Sequence, residues 1–311
     1  MIQKTLTVVI PVLNEGEELS ITLSEVRRTA SNNVDIIVVD DASDDGYDYK
    51  SATIRYGARY IRHQERWGSG PTKQHGINEV MTHDFIVIDS HMRFYDNFWW
   101  KEICKCINDK SNAIYCMKCK PWSAETKKEF DVDAHGGAYL NIITDNPMNF
   151  LNMRWIKPHG GDDNIVSAIP CVLGACYASS KRYWQWLRGF DGLRGYGCEE
   201  AYVSLKSWMS GGGCYLMKNL TIGHLFFFFF PYTVGSNENF LNKMFVADML
   251  LPEEYKIRIF SSVKRLAYMT YRSYLQRRED NEELRLYLSK IFVPEGFSNF
   301  LSVNLRAQRL I

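Results

Sequence analysis

A mostly parallel β-sheet flanked by helices, with a helical extension at the C-terminus, is the α/β architecture that this 311-residue sequence predicts. Two observations lead to it. Short β-branched apolar runs alternate with segments of helical period, the pattern of parallel strands joined by crossover helices. Several of those runs also end in carboxylates, and ligands collect at the carboxyl ends of such strands. Residues 6–12 (Leu-Thr-Val-Val-Ile-Pro-Val) are apolar without alternation, as a strand covered on both faces requires. Residues 17–29 then place Leu and Ile at helical spacing. A second buried strand spans 34–41 and closes on Asp40-Asp41; a third element at 58–62 leads into a helix at 72–81. The strand at 84–89 ends on Asp89. A helix at 98–108 and a strand at 113–119 follow, whereas 120–170, with Gly136-Gly137, Gly160-Gly161 and several Trp and Pro, reads as loop-rich. A further strand covers 216–222. Helices are expected at 255–278 and 280–291.

Composition narrows the function. With 37 basic and 36 acidic residues the net charge is +1, which excludes an all-over polycation; 46% hydrophobic content excludes a disordered chain. The longest apolar run, 225–230, is far below the ~20 residues of a membrane span. No signal-peptide pattern follows Met1, so a cytoplasmic location is expected. Eight scattered cysteines read as reduced thiols, with Cys104-x-Cys106 and Cys116-x-x-Cys119 as a conceivable zinc knuckle. Charge is uneven: residues 1–50 carry four bases and ten acids, and 255–278 carry seven bases and no acid, interleaved with Tyr268, Tyr271 and Tyr274. That segment is either a solvated helix face or a polyanion contact, with DNA as the partner to consider.

Chemistry concentrates at strand ends. Asp89-Ser90-His91 puts a carboxylate and an imidazole two residues apart, pointing the same way from an extended chain. Such a pair suits a divalent ion such as Mn²⁺ or Mg²⁺ that also binds a diphosphate. Gly223-His224 offers a second imidazole, giving Asp89, His91 and His224 as a ligand set with open positions. His63, His75, His83, His135 and His159 sit in no motif.

These motifs, in order over about residues 5–235, resemble the GT-A nucleotide-sugar glycosyltransferases, specifically family 2 enzymes and the catalytic domain of polypeptide N-acetylgalactosaminyltransferases. Val8-Val9-Ile10-Pro11-Val12-Leu13-Asn14-Glu15 looks like the opening strand and nucleotide-side loop, and Val38-Val39-Asp40-Asp41-Ala42-Ser43 like the strand whose acid meets uracil. Asp89-Ser90-His91 matches the D-x-H metal motif. Gly174-Ala175-Cys176-Tyr177-Ala178 with Gly189-Phe190-Asp191 matches the segment near the transferred sugar. Gly197-Cys198-Glu199-Glu200 stands where the family has G-G-E-N or an E-D pair. Gly223-His224-Leu225-Phe226 and Pro231-Tyr232 resemble G-H-x-F and P-Y.

The resemblance implies a GT-A catalytic domain over 1–240, divided into a nucleotide-binding half (1–119) and an acceptor and metal half (120–240), with a basic helical extension at 241–311. It implies a UDP-sugar donor bound by Pro11, Asn14, Glu15, Asp40, Asp41, Arg66, Lys73, Ser90, Gly174, Ala175 and Tyr232, and Mn²⁺ held by Asp89, His91 and His224. Glu199 would orient the sugar or acceptor, and Glu200 would take the acceptor proton, giving inversion; otherwise the leaving phosphate takes it, with retention. The chain departs from the family where an arginine follows the metal histidine by three residues: Phe227 stands there, within a five-phenylalanine run. The arginine-rich stretch after the third strand is Trp67-Gly68-Ser69-Gly70-Pro71-Thr72-Lys73, so diphosphate charge falls on the metal, Lys73 and Arg66. The expected acceptors are the hydroxymethyl group of a modified pyrimidine in DNA, as in phage-type base-modifying enzymes, or a protein Ser/Thr. A polysaccharide or lipid-linked glycan comes next, and a non-catalytic nucleotide-sugar-binding module is the alternative. Trp155 and His159 are candidates for the acceptor wall.

Overall fold

The computed structural model describes residues 4–144, 146–158, 164–226 and 236–310. In chain order the first half runs β1 (Leu6–Val12), α1 (Glu18–Ala30), β2 (Asp35–Asp40), α2 (Tyr49–Arg55), β3 (Arg59–Arg62), α3 (Ser69–Asn78), β4 (Asp84–Ile88), β5 (Met92–Phe94), α4 (Trp99–Asp109) and β6 (Ile114–Ser123). Short strands β7 (Ala138–Leu140), β8 (Met153–Trp155) and β9 (Val166–Ile169) follow, then β10 (Cys176–Ser180), α5 (Lys181–Trp186), α6 (Glu199–Met209) and β11 (Cys214–Phe226). The chain ends in helices α7 (Ser236–Leu250), α8 (Glu253–Leu266), α9 (Tyr268–Arg277), α10 (Glu282–Ile291) and α11 (Gly296–Ala307).

The main sheet has the order β3-β2-β1-β4-β10-β6-β11-β5, with β9 also pairing β11, and β7 and β8 form a separate ribbon. From β3 to β4 all pairings are parallel. β10 reverses direction between β4 and β6, and β5 and β9 run antiparallel to β11, so the parallel half expected from the sequence passes into a mixed half. Strand order turns at β1, where β2 lies on one side and β4 on the other. The crevice beyond the carboxyl ends of such strands is where ligands enter doubly wound sheets.

Early elements form where the apolar pattern places them. β1 and β4 are buried nearly throughout, as strands covered on both faces must be. The α3 helix begins at Ser69, three residues before the expected start: Gly70-Pro71 reads as a breaker, yet proline is tolerated in a first turn, where its N–H has no helical partner. The 255–278 segment is two helices rather than one, because Ala267 (φ −144°, ψ 60°) leaves helical geometry between α8 and α9. A short 3₁₀ turn (Glu279–Asn281) precedes α10. Residue 241, the expected domain boundary, lies inside α7, whose Met244, Phe245, Val246 and Ala247 join the same hydrophobic core as the sheet.

No zinc knuckle forms. Cys104 and Cys106 lie on α4, Cys116 and Cys119 on β6, and all eight cysteines are free thiols. Among the described residues the only group of three or more potential ligands that converges contains no cysteine. Burial pushes the Cys104 thiol up to about 11 and that of Cys116 to about 12, so both stay protonated.

One glycine sets how closely α3 approaches the sheet. A Cβ at Gly76 would lie 2.4 Å from Val9 Cγ1 and 3.0 Å from Val39 Cγ2, both stiff β-branched side chains in the core. Gly76→Ala is expected to lower stability by about 1–3 kcal/mol through overpacking, read as an earlier urea midpoint with unchanged slope.

Candidate active site

A cleft of about 840 Å³ opens over the carboxyl ends of β1, β2 and β4. Its floor includes Pro11, Asp41, Asp89, Ser90 and His91, one wall is the first turn of α3, and the other is built from β8, β11 and the start of α7. The two halves of the sheet therefore meet at this cleft.

Asp89 follows β4, and its N–H donates to Ala175 O (3.2 Å), which anchors it beside the segment leading into β10. His91 precedes β5. The β5–β11 ladder pairs Met92 with His224 and Arg93 with Gly223, and Leu225 N–H donates to His91 O (3.2 Å). This register brings the histidines together: His91 Nε2 lies 3.1 Å from His224 Nε2, which lies 3.1 Å from Asp89 Oδ2. The ligand atoms of Asp89, His91 and His224 fall within 4.8 Å of one another. Glu15 Oε2 accepts from His91 Nδ1 (2.9 Å), which turns the other nitrogen, as a lone-pair donor, toward the common point. One carboxylate and two imidazoles with an orienting carboxylate behind them are a donor set suited to a divalent transition ion. The buried His224 Nδ1 has no hydrogen-bond partner.

The charges reinforce one another. Burial pushes the Asp89 carboxyl up, but the hydrogen bond with His224 and the Lys73 ammonium outweigh it and hold it at about 2. Burial lowers His91, but the Glu15 carboxylate beside it prevails and raises it; for His224 burial prevails and lowers it. Lys73, on α3, is buried with Nζ 3.4 Å from Glu200 Oε1, and although burial opposes its charge the Glu200 carboxylate raises its pKa well above the usual value.

Glu199 and Glu200 open α6 and both line the cleft. Glu199 accepts from Gly197 N–H through both oxygens (3.1 and 3.0 Å); burial and then the neighbouring Glu200 push its carboxyl up. Glu200 lies against Gly174, where a Cβ would come within 2.7 Å of its Oε1 and would displace the carboxylate from its present position.

The structure divides the remaining expected donor residues. Pro11, Glu15, Asp41, Arg66, Ser90, Gly174 and Ala175 line the cleft with Lys73. Asp40 does not: it is fully buried, and its carboxylate accepts from Ser43 N–H, Tyr60 OH and Arg62, so it braces the base of the β2–α2 loop rather than meeting a base. Asn14 is also off the cleft; its side chain exchanges two hydrogen bonds of 2.8 Å with Asp44 and locks two loops together. Asp41 reaches the cleft wall, but its oxygens accept from Trp67 N–H, Gly68 N–H and His63 Nδ1, each at 2.8 Å. Tyr232, Pro231, the 227–230 phenylalanines and His159 lie outside the described residues.

Several site residues carry no sequence motif. His63 connects Asp41 to His75 (Nε2 to Nδ1, 2.8 Å), and the Trp67 ring stacks on His63 at 3.8 Å while remaining 44% exposed in the cleft. Met153, Trp155, Phe226, Asn237 and Glu238 complete the far wall, with Trp155 4.9 Å from Phe226 between ring centres. The Trp-Gly-Ser-Gly-Pro stretch was a visible signal for Trp67, and Trp155 and Phe226 were read from the sequence as an acceptor-wall candidate and as the end of the G-H-x-F motif; nothing local marked Met153, Asn237 and Glu238.

An open α/β sheet with Asp89 and His91 at its switch point and His224 brought to them by a distant strand has the architecture of the GT-A fold. The Glycosyl transferase family 2 profile matches residues 7–165, and the chain belongs to that family. It is 22% identical over 283 residues to polypeptide N-acetylgalactosaminyltransferase 11 of Xenopus tropicalis, covering 84% of this chain and 45% of the relative. It is 25% identical over 199 residues to the inactive polypeptide N-acetylgalactosaminyltransferase-like protein 5 of Mus musculus, covering 61% of this chain and 45% of that one. A crystal structure of GalNAc-T7 with UDP, GalNAc and Mn²⁺ superposes with a TM-score of 0.77 at 17% identity, covering 92% of this chain and 55% of the other; this shows a shared fold. The chain spans less than half the length of these curated relatives.

The depressed Asp89 carboxyl contributes stability that is complete above the ordinary carboxylate pKa of about 3.9 and is lost as pH falls through about 2. In metal-free buffer the stability difference between the wild type and Asp89→Asn is therefore expected to shrink by about 2 kcal/mol as pH falls from about 5 toward 2, measured by urea unfolding at each pH.

Proposed function

We propose that this protein is a metal-dependent glycosyltransferase that moves a sugar from a UDP-sugar to an acceptor hydroxyl. The observation that carries the reading is the convergence of Asp89, His91 and His224 at the carboxyl end of the sheet, beside a buried Glu199–Glu200–Lys73 cluster. Mn²⁺ or Mg²⁺ held by those three residues would supply Lewis acidity to the diphosphate oxygens of the donor.

The chain's own residues do the rest. Arg66 and the N-terminal turn of α3, whose backbone dipole favours anions, face the cleft where a diphosphate would lie. Asp41 acts by holding Trp67 and Gly68 in place, and the exposed Trp67 face offers a stacking surface for a base. Glu200 is the acid placed to accept a proton from an acceptor hydroxyl, and the Lys73 ammonium offsets its charge while it is ionised. Inversion follows when Glu200 takes that proton, and the anomeric configuration of the product reads it. Trp155, Met153 and Phe226 form an aromatic and apolar wall for the acceptor.

A protein Ser/Thr hydroxyl is the acceptor supported by the relatives' names. The DNA acceptor was expected from the basic, tyrosine-bearing 255–278 segment, but Tyr274 is buried with its OH on Asp248 (2.7 Å) and Tyr271 is half-buried against Phe260, which leaves Tyr268 as the exposed ring of the three. A non-catalytic donor-binding module is the second reading, favoured by the relative named as inactive.

UDP-sugar hydrolysis stimulated by Mn²⁺ is expected for the wild type and about 100-fold slower for Asp89→Ala, a loss of ~2.7 kcal/mol in barrier lowering. Donor-dependent thermal stabilisation without turnover would assign the non-catalytic module, and neither stabilisation nor turnover would overturn the proposal. Trp155→Ala is expected to raise the acceptor KM about tenfold or more while leaving donor hydrolysis unchanged, measured with a Ser/Thr peptide.

A further inference from the structure

The basic segment that the catalytic reading leaves unused folds into an elbow. α8 ends at Leu266, Ala267 breaks the helix, and α9 restarts at Tyr268. The break projects Leu266 (65% exposed), Tyr268 (53%) and Met269 (72%) into solvent as one contiguous apolar tip. Isolated apolar residues on a surface are ordinary, but three large ones together at a corner are a recognition feature.

Charge surrounds this tip. Arg258, Lys264, Arg265 and Arg272 are all exposed. Arg272 stands one helical turn after Tyr268 and Met269, on the same side of α9, and Ile257 (57% exposed) lies two turns before Arg265 on α8. Of the seven bases in 255–278, Lys256 pairs with Glu253 and Arg278 with Asp248; among the described residues no carboxylate lies within ion-pair distance of the four around the tip. The nearest acids in sequence are Glu253 and Glu254 before the segment and Glu279 and Asp280 after it.

We propose that the α8–α9 elbow docks the protein on an anionic lipid bilayer. Leu266, Tyr268 and Met269 would enter the headgroup–acyl boundary while Arg258, Lys264, Arg265 and Arg272 meet lipid phosphates. Apolar insertion and basic attraction together are what an interfacial anchor needs, since neither alone holds a protein firmly at a membrane. A nucleic acid would use the same bases, but it gains nothing from Leu266 and Met269 and finds Tyr274 buried and Tyr271 half-buried against Phe260. No helix among the described residues is long and apolar enough to cross a membrane, so this contact would be peripheral. The elbow is also tied to the rim of the cleft: Thr270 on α9 donates to Asn237 Oδ1 (2.7 Å), and Asn237 lines the cleft.

Cosedimentation with vesicles tests this without donor or metal, so its outcome is independent of the glycosyltransferase reading. Binding is expected to mixed phosphatidylglycerol–phosphatidylcholine vesicles and not to phosphatidylcholine alone. Leu266→Ser/Met269→Ser and Lys264→Glu/Arg265→Glu are each expected to weaken binding about tenfold or more, with unchanged circular dichroism. No binding to anionic vesicles overturns the proposal. So does binding that ignores the serine substitutions while duplex DNA binds with a steep salt dependence, which assigns a polyanion patch. A dimer that dissociates in Leu266→Ser/Met269→Ser, seen by light scattering, assigns the tip to a second copy and overturns it as well.

Discussion

The pairing of β11 with β5 governs what this cleft can bind. Residues 91 and 224 are distant in sequence, and their imidazoles meet because His224 stands opposite Met92 in an antiparallel ladder. Side chains alternate between sheet faces, so a slip of one residue would turn His224 to the opposite face and take it away from Asp89 and His91. Two features resist such a slip. β11 carries an irregularity between Met217 and Thr221 where it follows β6, and Gly223 lies so close to Trp122 that an added Cβ would sit 2.7 Å from the indole nitrogen. The ligand geometry is thus a consequence of strand packing, with Glu15 turning the ring of His91 once the backbone has placed it.

Around that pairing the protein buries several charged side chains and gives them partners. Lys73 lies against Glu200, Glu199 is capped by a backbone N–H, and Asp41 satisfies two N–H groups and a histidine. A buried ion whose partner is removed is strongly destabilising, so these groups act as a unit and single substitutions disturb their neighbours. Asp40 and Asp41, adjacent in sequence, illustrate the economy of the arrangement. One braces the β2–α2 loop from below; the other holds the Trp67–Gly68 turn at the mouth of α3.

The C-terminal helices belong to the same construction. Asn304 of α11 bonds both backbone groups of Leu140, covering the edge of β7, which pairs with β8 and so supports Trp155. Lys243 of α7 donates to Met148 O and Asn152 Oδ1 (2.9 Å each) and secures the loop between β7 and β8. Asp248, buried, gathers Tyr274, Arg278 and Arg285 and fastens α9 and α10 to α7. Helices that look like an appendage in the primary structure hold the far wall of the cleft and position the elbow beside it.

Much of the N-terminal half was legible from local pattern. Buried parallel strands announce themselves by continuous apolar runs, and β1, β2 and β4 appear where Leu6–Val12 and its successors predict them. The D-x-H pair was equally local, since two residues in an extended chain face the same way whatever surrounds them. The β10 strand was not legible, because antiparallel insertion between β4 and β6 is a matter of partners rather than of period. Asp40 and Asn14 looked like donor contacts because sequence shows the residue but not which hydrogen bonds already occupy it. His63 and His75 looked ordinary because β3 and α3 bring them together only in three dimensions. The sequence by itself determined the strand–helix alternation and the kinds of ligand available, since both depend on neighbours along the chain. Only the tertiary structure decided which carboxylates face the cleft, which imidazoles share a point, and that the basic segment bends into an apolar-tipped elbow, since each depends on contacts between distant segments.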